Sequence, residues 1–592
     1  MSRRLCCIII ATALLLSCFG CSTGEGNAAD SGATFDPPKA GESASGETNA
    51  PSTTFAEDWG QVLADLDEEI FYWYASRNYR AFAEIKPRIG DLADRIEARI
   101  TLGSFSADSA LEEIAAIEGF LGRLNEIDRD RLSDSERYSC ETIERGLVNL
   151  LQERESFAYS EPLTPYAGEH IELLLFLLTF DIESVEDAQI YLKLMAELPA
   201  YMDQLIAHEI NRAEAGLFMT ERALVAVLND LEAIISGFEA ASLRPAFELK
   251  IRSIEGISSE TANGLLSEHE ILLQTAYLPA YTALYDALQL LLPYCREELG
   301  LTTAFGTEGG ELFELMVREN GASGLSVAEA RELLENGLQD IQLFFALLYG
   351  EDPELFAMEI NTSVATFDEA EAYMTGIMEG VVPSIAMPEY EVYSFPHELE
   401  HLQIPMLYRG GAVICAEGGE LSLFDFARTV YPGEAYLNAF NAEEAKASFL
   451  NCLPPEGYEE GWALYSELLF ASNAGEYGVD YCQFRFLDSM YNTLLLASSS
   501  IMVNYYGYSE AALADYLEGY QMRQFAESYY QTVTAMPDYH LASALGYCNV
   551  LAIFELDESE TYEEAQGFVE DFLKLGTGYF DIISQELQRK YG

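Results

Sequence analysis

Two short stretches of the chain hold residues whose types and spacing could do chemistry. The first is Glu460-Gly-Trp-Ala-Leu-Tyr-Ser-Glu467. Read as a helix, it sets Glu460, Leu464 and Glu467 along one face, because positions four and seven apart line up. Two carboxylates on one face can ligate a metal, share a proton or face solvent. The second is His397-Glu398-Leu399-Glu400-His401, in a chain with only six histidines. It has the H-E-x-x-H form in which two histidines one helical turn apart bind zinc beside a glutamate base. Pro396 and Pro405 bracket it, which leaves at most two turns of helix. No third ligand stands at a helical offset downstream; Glu417, Glu420 and Glu460 are merely available. The favoured reading is therefore that no metal is held. The alternative is a zinc site of His397 and His401 with Glu398 as general base.

Glu460-Gly-Trp-Ala-Leu-Tyr-Ser-Glu467 resembles the second signature, E-G-W-A-x-Y-x-E, of a bacterial family called domain of unknown function 885. That resemblance implies a helical, zinc-peptidase-like fold of the thermolysin-like class, akin to carboxypeptidase Taq. The family's first signature is close to H-E-G-Y-P-G-H-x-Y-Q-N. Aligned on Tyr431-Pro432-Gly433, it falls on Arg428 to Asn438, twenty-six residues separating Glu434 from Glu460, about the family's spacing. The resemblance implies two zinc-binding histidines, a base after the first, and a ligating glutamate opening the second signature. Here Arg428 stands at the first histidine, Thr429 at the base and Glu434 at the second histidine. An arginine in a ligand shell repels a dication, so the family's metal site is expected to be lost. Arg428 is expected to pair with Glu434 or Glu460. The His397 motif falls before the first signature.

The resemblance continues downstream. Asn504, in Val503-Asn-Tyr-Tyr-Gly-Tyr-Ser509, stands where the family has a histidine, and asparagine cannot supply a proton near neutrality. Pro537-Asp-Tyr-His-Leu541 through Gly546-Tyr547 matches a stretch in which Tyr539 would donate to a peptide carbonyl or developing oxyanion. His540 beside it is read first as a ring in the cleft wall. The expected cleft residues are thus Arg428, Tyr431, Glu434, Glu460, Tyr465, Asn504, Tyr539 and His540. The reading that follows is a peptide-binding protein or pseudoenzyme, the alternative an active zinc metallopeptidase using His397 and His401. His170, His208 and His269 are read as structural.

The elements that must position these residues are mainly α-helical. Apolar residues recur every three or four positions in 62–82, 111–127, 188–210, 223–235 and 265–299. Ser326-Val-Ala-Glu329 and Thr366-Phe-Asp-Glu369 read as capping boxes, Ser184 and Ser509 as N-caps. The run 171–180 is too short to cross a membrane and reads as a buried helix. Strands are expected at 390–393 and 412–415, a minor β-ribbon on either side of the His397 motif.

Residues 1–21 read as a lipoprotein signal: Arg3 and Arg4, then an apolar run from Ile8 to Leu16, then Cys21 as the lipidated residue with Cys18 as its rival. Residues 22–55, rich in Gly, Ser, Ala and Thr, read as a tether, and 56–592 as one helical peptidase-like domain. The expected place is outside the cytoplasm, anchored to a bacterial membrane by lipid. Acidic residues number 99 against 32 basic ones, a formal net charge of −67. That excess argues against nucleic acid as a partner; it reads first as a solvated acidic surface, with attraction of basic peptides or cations as the alternative. Six cysteines lie beyond the signal region without Cys-x-x-Cys spacing, so no pairing can be read.

Overall fold

A computed structural model describes residues 58–591, except 389, 417, 444–446, 558 and 560. The readings for residues 1–55, Cys18 and Cys21 included, and for Glu417 lie outside these residues. Three apolar cores run in chain order. The first lies between α1 (Trp59–Ala75), α2 (Tyr79–Ile89), α3 (Ala107–Leu124) and α4 (Asp134–Glu155). The second gathers α5 (Glu169–Thr179), α6 (Val185–Ala215), α7 (Glu221–Ser236), α8 (Leu243–Ser253), α9 (Ser259–Leu272) and α10 (Leu278–Leu291). The third begins with α11 (Leu301–Phe305), α12 (Thr307–Asn320), α13 (Val327–Glu351) and α14 (Phe367–Met378), then α15 (Leu423–Thr429), α16 (Glu434–Glu443), α17 (Glu456–Asn473) and α18 (Val479–Ser500). It closes with α19 (Glu510–Glu518), α20 (Ala526–Ala535), α21 (Leu541–Phe554), α22 (Tyr562–Lys574) and α23 (Phe580–Tyr591). The protein is mainly helical, as the periodicity predicts.

The start signals act as expected, with one difference. Ser326 and Glu329 exchange both hydrogen bonds of a capping box, and Ser184 and Ser509 cap α6 and α19. Thr366 accepts from the Glu369 N–H. The Glu369 carboxylate, however, accepts from the N–H of Ala365, one residue before the cap. The periodic run 62–82 is divided at Asn78, whose side chain caps α2. The run 265–299 is interrupted by a π turn, Leu273–Tyr277, and ends as helix at Leu291. As predicted, 171–180 is largely a buried helix: of α5, His170 and all five leucines are shielded from solvent.

Five short strands accompany the helices. β1 (Ser363–Val364) pairs antiparallel with β5 (Leu421–Ser422). β4 (Ala412–Cys415) lies between β2 (Val392–Ser394), parallel to it, and β3 (Met406–Arg409), antiparallel. The ribbon around the His397 motif thus has three strands, not two. Gly410 and Gly411, both at positive φ, make the turn that joins β3 to β4. The six described cysteines are free thiols, with Cys140, Cys452, Cys482 and Cys548 buried.

The closest packing in the third core is between α17 and α21. A Cβ on Gly461 would lie 2.6 Å from the Gly546 carbonyl oxygen, and one on Gly546 would lie 2.2 Å from that of Gly457. The helices therefore meet backbone to backbone, where no side chain fits. Trp462 and Tyr458, both fully buried, seal the flank against Phe572 and Phe580 with ring centroids 5.5–6.0 Å apart. Gly461→Ala is expected to lower stability by about 2–4 kcal/mol, read as an earlier urea midpoint. Gly119→Ala, inside α3 with open space around it, is expected to stabilise by about 0.5 kcal/mol.

Candidate functional site

The apposed helices place the charged residues of the first stretch. Glu460 stands beside Gly461 on α17, and Ser543 lies one turn before Gly546 on α21. The Ser543 hydroxyl donates to Glu460 Oε2 at 2.7 Å. Across the site, α15 ends in a turn closed by Gly433, where a Cβ would sit 1.7 Å from the Arg428 carbonyl oxygen. Trp462 Nε1 and Ser466 Oγ of α17 both donate to the Pro432 carbonyl, at 2.8 and 3.1 Å. That turn is thereby fastened to α17, and Arg428 reaches across. Its Nη2 donates to Glu460 Oε2 at 2.6 Å and its Nη1 to Glu467 Oε1 at 3.4 Å. The Arg428 side chain keeps 31% of its exposure and Glu460 25%, so the pair lines a recess that solvent reaches.

The carboxyl groups here titrate apart from one another. Burial raises Glu460, but Arg428 and the Ser543 hydroxyl outweigh it and hold the group below its usual range. Glu467 is pushed up to about 7, chiefly by burial, with Asp425 and Glu460 adding to it against Arg428. Glu434, at the start of α16, also rises to about 7, through burial and then the charge of Glu460, against Arg409 and Arg428. Glu456, one turn before Glu460, rises to about 7 by burial and its acidic neighbours. One firmly ionised carboxylate thus sits among carboxyls that are about half protonated near neutrality.

Of the expected cleft residues, Arg428, Glu434, Glu460 and Tyr539 come together. Tyr539 is 46% exposed, and its phenol feels Glu460, Arg428 and Glu456. Tyr431 is half-buried, its ring edge-on to Tyr436 at 5.4 Å. His540 lies edge-on to Tyr539, and burial lowers its pKa to about 4. It is a neutral ring in the wall. Two residues are placed elsewhere. Tyr465, 8% exposed, stacks on Phe554 at 4.3 Å in the third core. Asn504 is fully buried in a π turn, accepting from Leu301 N–H and donating to Ser500 Oγ and the Val533 carbonyl. It ties three segments of backbone and faces no cleft.

Three residues of the site had gone unremarked. Glu456 is four before Glu460, a spacing that helix periodicity could have flagged. Ser543 and Arg409 of β3 come from elements whose proximity no local pattern announces.

The His397 segment forms a 3₁₀ turn, His397–Leu402, and not an α-helix. In that geometry residues three apart eclipse, so positions 397 and 401 diverge. His397 Nδ1 lies 3.0 Å from Ser242 Oγ. Glu398, 2% exposed, accepts from both the N–H and the hydroxyl of Ser242. His401 Nε2 meets Asp230 Oδ1 at 2.7 Å. Asp230 also contacts His170 Nε2 at 3.2 Å, which gives His170 a partner that the sequence did not suggest. Of the other named ligands, Glu420 accepts from Asn361 and Glu460 from Arg428. Among the described residues no group of three His, Cys, Asp or Glu is placed to hold a metal ion. Nor does zinc fit the first stretch, where a guanidinium lies against the carboxylates a metal would need. His208 donates to the Ser160 carbonyl, and His269 stacks on Phe247, both as structural residues.

Residues 88–349 match the family model "Bacterial protein of unknown function (DUF885)". The match runs from the end of α2 to the end of α13 and stops before Arg428, Glu434 and Glu460. A solved structure of a candidate lipoprotein from Colwellia psychrerythraea is similar over 90% of this chain and 100% of that one, at 15% identity and a TM-score of 0.75. Another, of a candidate lipoprotein of unknown function from Shewanella oneidensis, covers the same shares at 12% identity and a TM-score of 0.56. At such identities the likeness is one of fold. A comparison with curated proteins finds no match.

The raised carboxyls have a consequence for stability. Glu434 is more readily protonated in the fold than in the unfolded chain, so its contribution is fully present below about pH 4.5 and is lost as pH rises through 7. Glu434→Gln removes that dependence. It is expected to stabilise by on the order of 1–2 kcal/mol at pH 8.5 and by clearly less at pH 5.5, compared by urea midpoints.

Proposed function

We propose that the protein is an exported, lipid-anchored peptide-binding protein, built on a zinc-peptidase-like scaffold in which Arg428 replaces the first metal-binding histidine. The observation that carries this is the Arg428–Glu460 ion pair at 2.6 Å in a recess that solvent reaches. A peptide backbone offers alternating donors and acceptors. Arg428 and the exposed Tyr539 supply donors, Glu460 a fixed anionic acceptor, and the protonated carboxyls of Glu434 and Glu467 either role. The residue at the family's base position, Thr429, is 2% exposed, and Glu460 is held by Arg428 and Ser543, so neither activates a water as the family's chemistry needs. The lipid anchor is supported by the composition of residues 1–21 and by the candidate lipoproteins that share the fold. No described helix is long and apolar enough to cross a membrane.

Two measurements test the reading. Zinc content of the full chain, purified without chelator, is expected to lie far below one per molecule and to be unchanged in His401→Ala; near one zinc per chain, lost in that variant, would replace the proposal with a metallopeptidase. Titration calorimetry with a capped alanine tetrapeptide is expected to show binding weakened about tenfold by Glu460→Gln, the scale of one hydrogen bond to a charged group. Unchanged affinity would remove Glu460 from the site.

A further inference from the structure

Beside the Arg428–Glu460 recess lies a cavity of about 430 Å³, within the range of about 300–1,000 Å³ typical of small-ligand sites. The two are joined through Glu456, one turn from Glu460 on α17, and through Asp538, next to Tyr539. Phe305, Leu312, Leu315 and Met316 give the cavity an apolar wall, while Glu319, Glu456 and Asp538 reach it with carboxyl groups. None of these three carboxyls has an ion-pair partner among the described residues. The arginine that also lines the space is already engaged: Arg212 holds Glu161, Glu209 and the Leu217 carbonyl. Arg212 is 2% exposed, and its Nε–H is left without an acceptor.

An apolar wall with three uncompensated carboxyls suits an alkyl chain ending in a cation. The cavity's continuity with the recess, through Glu456 and Asp538, favours a cation carried on a peptide over a free polyamine. We propose that this cavity binds the basic side chain of the peptide held at the Arg428–Glu460 recess, with Glu319 and Asp538 around its ammonium or guanidinium group and the exposed Glu456 at the mouth. The inference rests on the peptide-binding reading of the recess and adds to it a preference for basic residues.

Binding of a cation is coupled to proton release. Burial, with Glu153 and Asp538 nearby, raises Glu319 to about 8 against Arg318 and Arg154, while Tyr579 also lies within reach of its charge. Glu456 rises to about 7, among Glu459, Glu460, Asp538 and Arg409. Asp538 is raised by burial and by Glu161. The empty cavity therefore holds protons at neutrality, and a lysine side chain, charged until about pH 10, displaces them.

The test is titration calorimetry of the full chain with capped Ala-Lys-Ala, its norleucine isostere capped Ala-norleucine-Ala, and spermidine. The lysine peptide is expected to bind at least tenfold more tightly than the norleucine peptide at pH 8.5, and this advantage is expected to shrink at pH 6. Heats measured in buffers of different ionisation enthalpy are expected to show proton release for the lysine peptide alone. Glu319→Gln, with its unchanged shape, is expected to abolish most of the lysine advantage while the norleucine peptide binds as before, which also shows that the variant is folded. Equal affinity for the two peptides, with Glu460→Gln still weakening both, would overturn the basic pocket and leave the recess reading intact. Binding of spermidine with no preference between the peptides would assign the cavity to a free amine and overturn the proposal.

Discussion

The contact between α17 and α21 is the constraint on which the rest depends. Gly461 and Gly546 let two helix backbones touch, and no other residue type permits that separation. Glu460 and Ser543 then meet because their neighbours along each helix already do. Trp462 and Ser466, on the same helix, reach the Pro432 carbonyl and so fix where Arg428 begins its approach. A local steric fact thus sets the distance between an arginine and a carboxylate that are thirty-two residues apart in the chain.

Around that contact the electrostatics are uneven. The chain has about three acidic residues for each basic one, and long-range repulsion alone would open any cleft lined with carboxylates. The fold avoids this by keeping one carboxylate ionised against a guanidinium and burying the rest enough to hold protons. Glu434 and Glu467 share the recess with Glu460 because they are neutral much of the time. Its chemistry is that of mixed donors and acceptors more than that of a bare anionic patch.

Much of this architecture is legible in the amino-acid sequence, and the illegible parts have physical causes. The helical periods and the caps at Ser184, Ser326 and Ser509 are local, and they appear where expected. The partner of Arg428 could be narrowed to Glu434 or Glu460; the structure selects Glu460, adds Glu467, and leaves Glu434 without an ion pair. Asn504, expected in the cleft, is instead buried in a π turn that a period of 3.6 does not anticipate. The His397 motif, read from the sequence with zinc only as the alternative, lies on a 3₁₀ turn that points its histidines apart, toward Ser242 and toward Asp230. Arg409 and Ser543 arrive from distant segments, and only the packing reveals them.

The free thiols bear on what holds such a molecule together. Burial pushes Cys482 and Cys548 up to about 12 and Cys295 to about 11. A sulfur that stays protonated is a poor nucleophile in thiol–disulfide exchange. Helix packing alone, with no covalent cross-link among the described residues, holds the three cores together. Thiols so held are slow to enter disulfide exchange, and the described fold stands without needing one.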